Sequence, residues 1–136
     1  MSKFLSCKNM TGGYDGGEDI IKNIDIEVDK GQITVILGPN GCGKSTTMKA
    51  MLGMIALKSG SIILNGENIS SYSPQKKLAA GISFVPQTMN IFSELTVEEN
   101  LEMGAFLRSD DIQDTIGQIF QIFPAIKEKR NQLAGE

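Results

Sequence analysis

The chain has 136 residues, 40% of them apolar, and a net charge of −3, which suits one ordinary domain with a buried core. No Lys/Arg cluster gives nucleic acid a reason to bind, and no apolar run approaches the roughly 20 residues needed to span a bilayer. The only cysteines, Cys7 and Cys42, stand in no metal-ligand spacing, and without histidine they argue against a zinc site and fit a reducing cytoplasm.

Met1 to Met10 lacks the apolar core of a signal peptide, so the expectation is a soluble protein that reaches a membrane only through a partner. From Asn23 onward, Ile24, Ile26 and Val28 alternate with polar residues, predicting a half-buried strand within Ile20 to Val28. After a turn at Asp29-Lys30-Gly31, the β-branched run Ile33 to Leu37 predicts a strand buried on both faces. Thr46 to Leu52 then reads as a helix ending near Gly53, with Met48, Met51 and Leu52 packed into a core.

Ile62 to Leu64 predicts a strand entering a tight turn at Asn65-Gly66. Ser73 as cap with Pro74 at the first helical position predicts a short helix over Pro74 to Ala80. Ile82 to Val85 reads as another short strand, stopped by Pro86-Gln87. Thr96-Val97-Glu98-Glu99 matches a capping box opening a helix to about Phe106. Ile112, Ile116, Ile119, Phe120 and Phe123 recur at helical spacing, and Pro124 breaks that helix. The order of elements predicts an α/β domain.

Between the Ile33–Leu37 run and the helix lies Gly38-Pro39-Asn40-Gly41-Cys42-Gly43-Lys44-Ser45-Thr46, in which Gly38, Gly43, Lys44 and Ser45 satisfy the phosphate-loop pattern. A curl of backbone N–H groups can surround phosphate without side-chain bulk, and glycines at 38, 41 and 43 allow the close approach. A helix N-terminus adds the positive end of its dipole. In such a loop Lys44 reaches the β- and γ-phosphates, Ser45 takes Mg²⁺, and Thr46 donates to the α-phosphate, so the expected ligand is ATP with Mg²⁺. Against this stands an incidental glycine-rich turn, which the flanking elements disfavour. Cys42 is either a reactive thiol beside a lysine and a helix N-terminus or a small filler.

The loop alone fits kinases, GTPases, helicases and transport ATPases. An acceptor site for a kinase, or the Asn-Lys-x-Asp reader of guanine, is not found. Over nearly its whole length the chain resembles the nucleotide-binding domains of ABC transporters. The resemblance rests on Tyr14 ahead of the loop, the loop itself, Lys58-Ser59-Gly60-Ser61-Ile62, Asn65-Gly66, Val85-Pro86-Gln87 and Leu95 to Leu101. It implies an α/β P-loop fold of ABC type in its N-terminal portion: antiparallel strands, a core strand feeding the phosphate loop and helix, and the start of a helical subdomain. Residues 1–87 would form the ATP-binding core portion and about 88–136 the start of the helical part.

The resemblance also implies that Tyr14 stacks on adenine and that Gln87 contacts Mg²⁺ and the attacking water beside the membrane subunit. A loop anchor for Tyr14 and an ordinary polar turn for Gln87 are the plain alternatives. Leu101 to Arg108, Ile122 to Glu128 and Gln132 to Gly135 look most like the ATP-binding subunits of branched-chain amino acid importers. Many of those carry Glu where this chain has Gln87, so related amide or amino acid importers stay open. Implied partners are permease subunits and a second ATPase subunit, at the cytoplasmic face of the membrane without direct insertion.

The family's Ser-Gly-Gly signature, its apolar strand ending in Asp, its catalytic Glu and its switch His are expected just past Gly135. None has a counterpart here, and the sequence contains no histidine. The chain is therefore expected to be a truncated portion of a longer ATPase, able to bind nucleotide but without a general base, and with an apolar sheet edge left uncovered. A non-catalytic remnant, or a soluble ABC protein without a membrane partner, is the other reading.

Overall fold

The computed structural model describes residues 3–14 and 16–136, with Met1, Ser2 and Asp15 outside it. The chain divides into two compact units, Met1–Phe84 and Val85–Glu136.

The first unit is built on an antiparallel sheet of β1 (Leu5–Gly12), β2 (Ile21–Val28), β3 (Leu57–Leu64) and β4 (Glu67–Asn68), in the order β2-β1-β3-β4. Strand β1 has no clean alternation because irregularities interrupt its register with both neighbours: Cys7 and Met10, three apart, are both buried. The odd residue, Asn9, has φ 51° and donates its N–H to Asp25 Oδ1 at 2.6 Å. One face of the sheet meets α1 (Lys44–Met51) in a core of Cys7, Met10, Ile21, Ala50, Met51, Ile55, Ile62, Leu64 and Ile69. Helix α1 starts two residues earlier than its apolar pattern suggests. Met51 and Leu52 are buried, whereas Met48 is 37% exposed. Helix α2 (Pro74–Ala79) has the expected cap, with Ser73 Oγ accepting from Lys76 N at 3.3 Å.

Two expected strands are absent from the sheet. Ile33 to Leu37 carries no ladder among the described residues, and Ile33, Val35 and Leu37 are 94%, 70% and 86% exposed. A β-branched run has the propensity for a strand, but a strand exists only when a neighbour satisfies its backbone groups. Ile82 to Val85 is likewise outside any strand, although Ile82 packs against the core.

The second unit contains α3 (Val97–Gly104), α4 (Gln113–Ile122) and α5 (Pro124–Glu128). The capping box is present in both directions: Glu99 N donates to Thr96 Oγ1 at 3.2 Å, and Thr96 N donates to Glu99 Oε2 at 2.7 Å. Helix α3 ends two residues short of Phe106. Helix α4 buries Ile116 and Phe120 and stops before Pro124, which opens α5, while Phe123 is left exposed. The 130–135 segment runs back along 93–98, joined by bonds such as Val97 N to Gln132 O and Ala134 N to Leu95 O. Among the described residues no helix is long and apolar enough to cross a membrane.

Candidate nucleotide-binding site

The phosphate-loop residues lie together in the first unit. Gly41 and Gly43 have φ 83° and 97°, the left-handed region that side-chain-bearing residues rarely occupy, and they turn the chain directly into α1. No side chain caps α1. Its first-turn N–H groups therefore face the loop without the usual Ser, Thr or Asp oxygen, which is how a helix presents donors to an anion. The turn is fixed by Thr47, whose N and Oγ1 both donate to Gly43 O, at 2.8 and 2.9 Å.

Lys44 folds back over this cradle. Its Nζ donates to Gly38 O at 2.6 Å and to Pro39 O at 2.7 Å, and lies 3.9 Å from Cys42 Sγ. Those acceptors hold the ammonium inside the loop, where a phosphate oxygen could replace neutral carbonyls with a charged partner. Cys42 is an exposed free thiol, and Ser45 is exposed on the first turn while Thr46 is buried. A cavity of about 440 Å³ opens beside the loop between Ile24 to Glu27 of β2 and the unpaired Thr34 to Leu37.

The far end of α1 is tied down with equal care. Gly53 N bonds to Ala50 O and Met54 N to Lys49 O, the paired bonds of a Schellman ending. Lys77 from α2 is fully buried and donates from Nζ to Met51 O at 3.0 Å, placing a cation at the negative end of the helix. Burial lowers the Lys77 pKa, and burial pushes the neighbouring Cys7 thiol up to about 11, with the Lys77 charge opposing that rise. Sequence reading missed Lys77, since nothing in Pro74 to Ala80 distinguishes it from its neighbour Lys76.

Tyr14 is half exposed in the same unit, and Lys49 Nζ of α1 lies 3.4 Å from its hydroxyl. Gln87 belongs to the second unit, exposed in a bend that precedes Met89 with its φ of 56°.

Residues 21–135 match the ABC transporter family model. The chain is 38% identical over 117 residues to a probable branched-chain amino acid transport ATP-binding protein, LivF, of Archaeoglobus fulgidus, covering 85% of this chain and 50% of the relative. It is 37% identical to the high-affinity branched-chain amino acid transport ATP-binding protein BraG of Pseudomonas aeruginosa, covering 90% of this chain and 53% of the relative. A ribose import ATP-binding protein, RbsA, of Streptococcus agalactiae is 38% identical over 86% of this chain but only 23% of its own length. Among solved structures, a nucleotide-free ATP-binding cassette from an ABC transporter superposes with a TM-score of 0.80 at 26% identity, covering 99% of this chain and 59% of that one. The chain thus spans about half the length of the curated branched-chain relatives it matches. With the family model covering most of its residues, the chain belongs to the ABC transporter family.

Proposed function

We propose that this chain is the nucleotide-binding portion of the ATP-binding subunit of an ABC importer, and that the importer carries branched-chain amino acids. The loop Gly38 to Thr46 leading into the uncapped α1 is the observation that carries the nucleotide part. In this reading Lys44 exchanges its carbonyl partners for the β- and γ-phosphates, and the first-turn N–H groups hold the rest of the triphosphate. Ser45, exposed at the loop, would hold Mg²⁺, which would neutralise charge on the phosphates. Tyr14 offers its ring to the adenine. The fit of the cradle to a polyphosphate is supported by its glycine backbone angles and the absence of a side-chain cap.

Hydrolysis asks for more than these residues. A water-orienting carboxylate, a switch histidine and the signature of an opposing subunit are the remaining parts of the family's machinery, and the sequence holds no histidine. We therefore assign nucleotide binding to the residues of this loop, and hydrolysis to an assembly with a second ATPase subunit. Permease subunits at the cytoplasmic face of the membrane complete the proposed assembly.

The substrate is read from relatives named for branched-chain amino acid transport that match across 85% and 90% of this chain. Others are named for ribose, choline and sn-glycerol-3-phosphate, which keeps a different importer as the second reading. Two experiments test the proposal. Competition of ATP and GTP for the purified protein should favour ATP, and a preference for GTP would remove the ABC-type reading of the site. Uptake of labelled leucine and ribose by source cells carrying Lys44→Ala should lose leucine transport alone. Intact leucine uptake with lost ribose uptake would overturn the branched-chain assignment.

A further inference from the structure

The segment Gly12-Gly13-Tyr14-Asp15-Gly16-Gly17 surrounds one aromatic residue with four glycines. Its base is tightly closed: a Cβ on Gly13 would lie 2.4 Å from Glu18 O, and Ile20 N donates to Gly12 O at 3.0 Å. Gly17 N donates to Tyr14 O at 3.0 Å, which fixes the backbone of Tyr14 but not its ring. The residue is half exposed, and among the described residues its side chain receives one polar contact, from Lys49.

Lys49 Nζ lies 3.4 Å from the Tyr14 hydroxyl and 5.8 Å from the ring centroid. The ammonium therefore sits at the hydroxyl end of the ring rather than over its centre, and leaves ring face open to a flat partner. It donates to the hydroxyl oxygen at the edge of the ring. Lys49 also lies on the last turn of α1, whose first residue is Lys44. One short helix, held by Lys77 at its far end, thus carries both the lysine that lies in the phosphate loop and the lysine that touches the aromatic ring.

We propose that Lys49 is a positioning residue for the nucleotide base: it holds the Tyr14 ring at a fixed orientation to α1, so that the ring and the phosphate cradle are presented as one rigid unit. This rests on the reading of Tyr14 as the platform for the base. A preset ring loses less side-chain freedom on binding, so the effect belongs to affinity for the base and not to affinity for phosphate. The alternative is that Lys49 serves only the negative end of the helix dipole, which would affect stability and leave base recognition alone.

The test measures binding of ATP and of inorganic tripolyphosphate, which has the phosphates and no base, to wild type, Lys49→Met, Lys49→Arg, Tyr14→Ala and the Tyr14→Ala/Lys49→Met pair. Lys49→Met should weaken ATP by about two- to fivefold, the range of a single exposed hydrogen bond, with tripolyphosphate unchanged and Lys49→Arg close to wild type. In the Tyr14→Ala background, Lys49→Met should have no further effect. Wild-type ATP affinity in Lys49→Met beside a loss in Tyr14→Ala overturns the role of Lys49 and leaves the base platform standing. Equal losses for ATP and tripolyphosphate in Lys49→Met overturn it in favour of a general charge effect. Unchanged ATP affinity in Tyr14→Ala removes the platform itself. A second readout needs no nucleotide: relaxation of the Tyr14 ring carbons in the free protein should show a more mobile ring in Lys49→Met, and an unchanged ring contradicts the proposal.

Discussion

Alanine at Gly38 would place its methyl carbon 2.6 Å from Cys42 Sγ, with the next atoms, Cys42 Cβ and Lys44 Cδ, at 3.9 and 4.0 Å. The sulfur contact is roughly 1 Å inside ordinary van der Waals separation, while the other two are already comfortable. Gly38 is not among the residues with positive φ, so alanine meets no backbone strain there, and the cost comes from one atom. Cys42 is exposed and can turn its sulfur away, which an off-rotamer side chain allows for about 0.5–1.5 kcal/mol. The displaced sulfur also lies 3.9 Å from Lys44 Nζ, whose bond to Gly38 O holds the loop closed, so the disturbance reaches the phosphate cradle. Gly38→Ala should weaken ATP by roughly three- to tenfold, Cys42→Ala should change little, and the double variant should return to within about twofold of Cys42→Ala. Titration of the four proteins with a fluorescent ATP analogue measures the coupling. A double variant as weak as Gly38→Ala alone would show that the sulfur contact is not what requires glycine at this position.

Cys7→Ala tests the buried pair beneath α1. A thiol raised from 9.0 to about 11 keeps its proton in the folded state, so its stabilising contribution is complete below pH 9 and lost as pH rises through 11. Wild type should shed about 2–3 kcal/mol from this source across that window. The lowered pKa of Lys77 acts in the opposite sense, restoring stability as pH rises towards 10.5 in both proteins. Urea denaturation from pH 8 to 11 should therefore show a smaller alkaline loss in Cys7→Ala, and parallel curves would refute the assignment. Thr96→Ala removes the capping box of α3 and should cost about 1 kcal/mol, read as a lower midpoint for the second unit in thermal melts followed by circular dichroism, whereas an unchanged midpoint would show that the cap carries no weight.

The parts of the fold legible in the sequence are those governed by local chemistry. Ser73-Pro74, Thr96 with Glu99, Pro124 and the glycine loop each act within a few residues, and each stands in the structure where its chemistry places it. Strand β1 was hidden because the irregularity at Asn9 destroys the two-residue period, so Cys7 and Met10 do not read as one face. The Ile33 to Leu37 run fails for the opposite reason: its propensity is strong, but pairing is a tertiary property, and among the described residues no strand pairs with it. Within the candidate site, the pattern Gly-x4-Gly-Lys-Ser singles out the glycine loop ahead of α1, whereas Lys49 and Lys77 are ordinary helix lysines until the fold brings Tyr14 and Met51 O to them.

The central claim is that Gly38 to Thr46 holds the phosphates of a nucleotide, with Lys44 as their charged partner. Isothermal titration of the purified protein with ATP and Mg²⁺, alongside Lys44→Ala, measures this directly. Loss of a charge-assisted contact to phosphate at about 1.5–3 kcal/mol predicts a Kd weakened by roughly ten- to hundredfold. Equal affinity in the two proteins, or no heat of binding in wild type, would contradict the account.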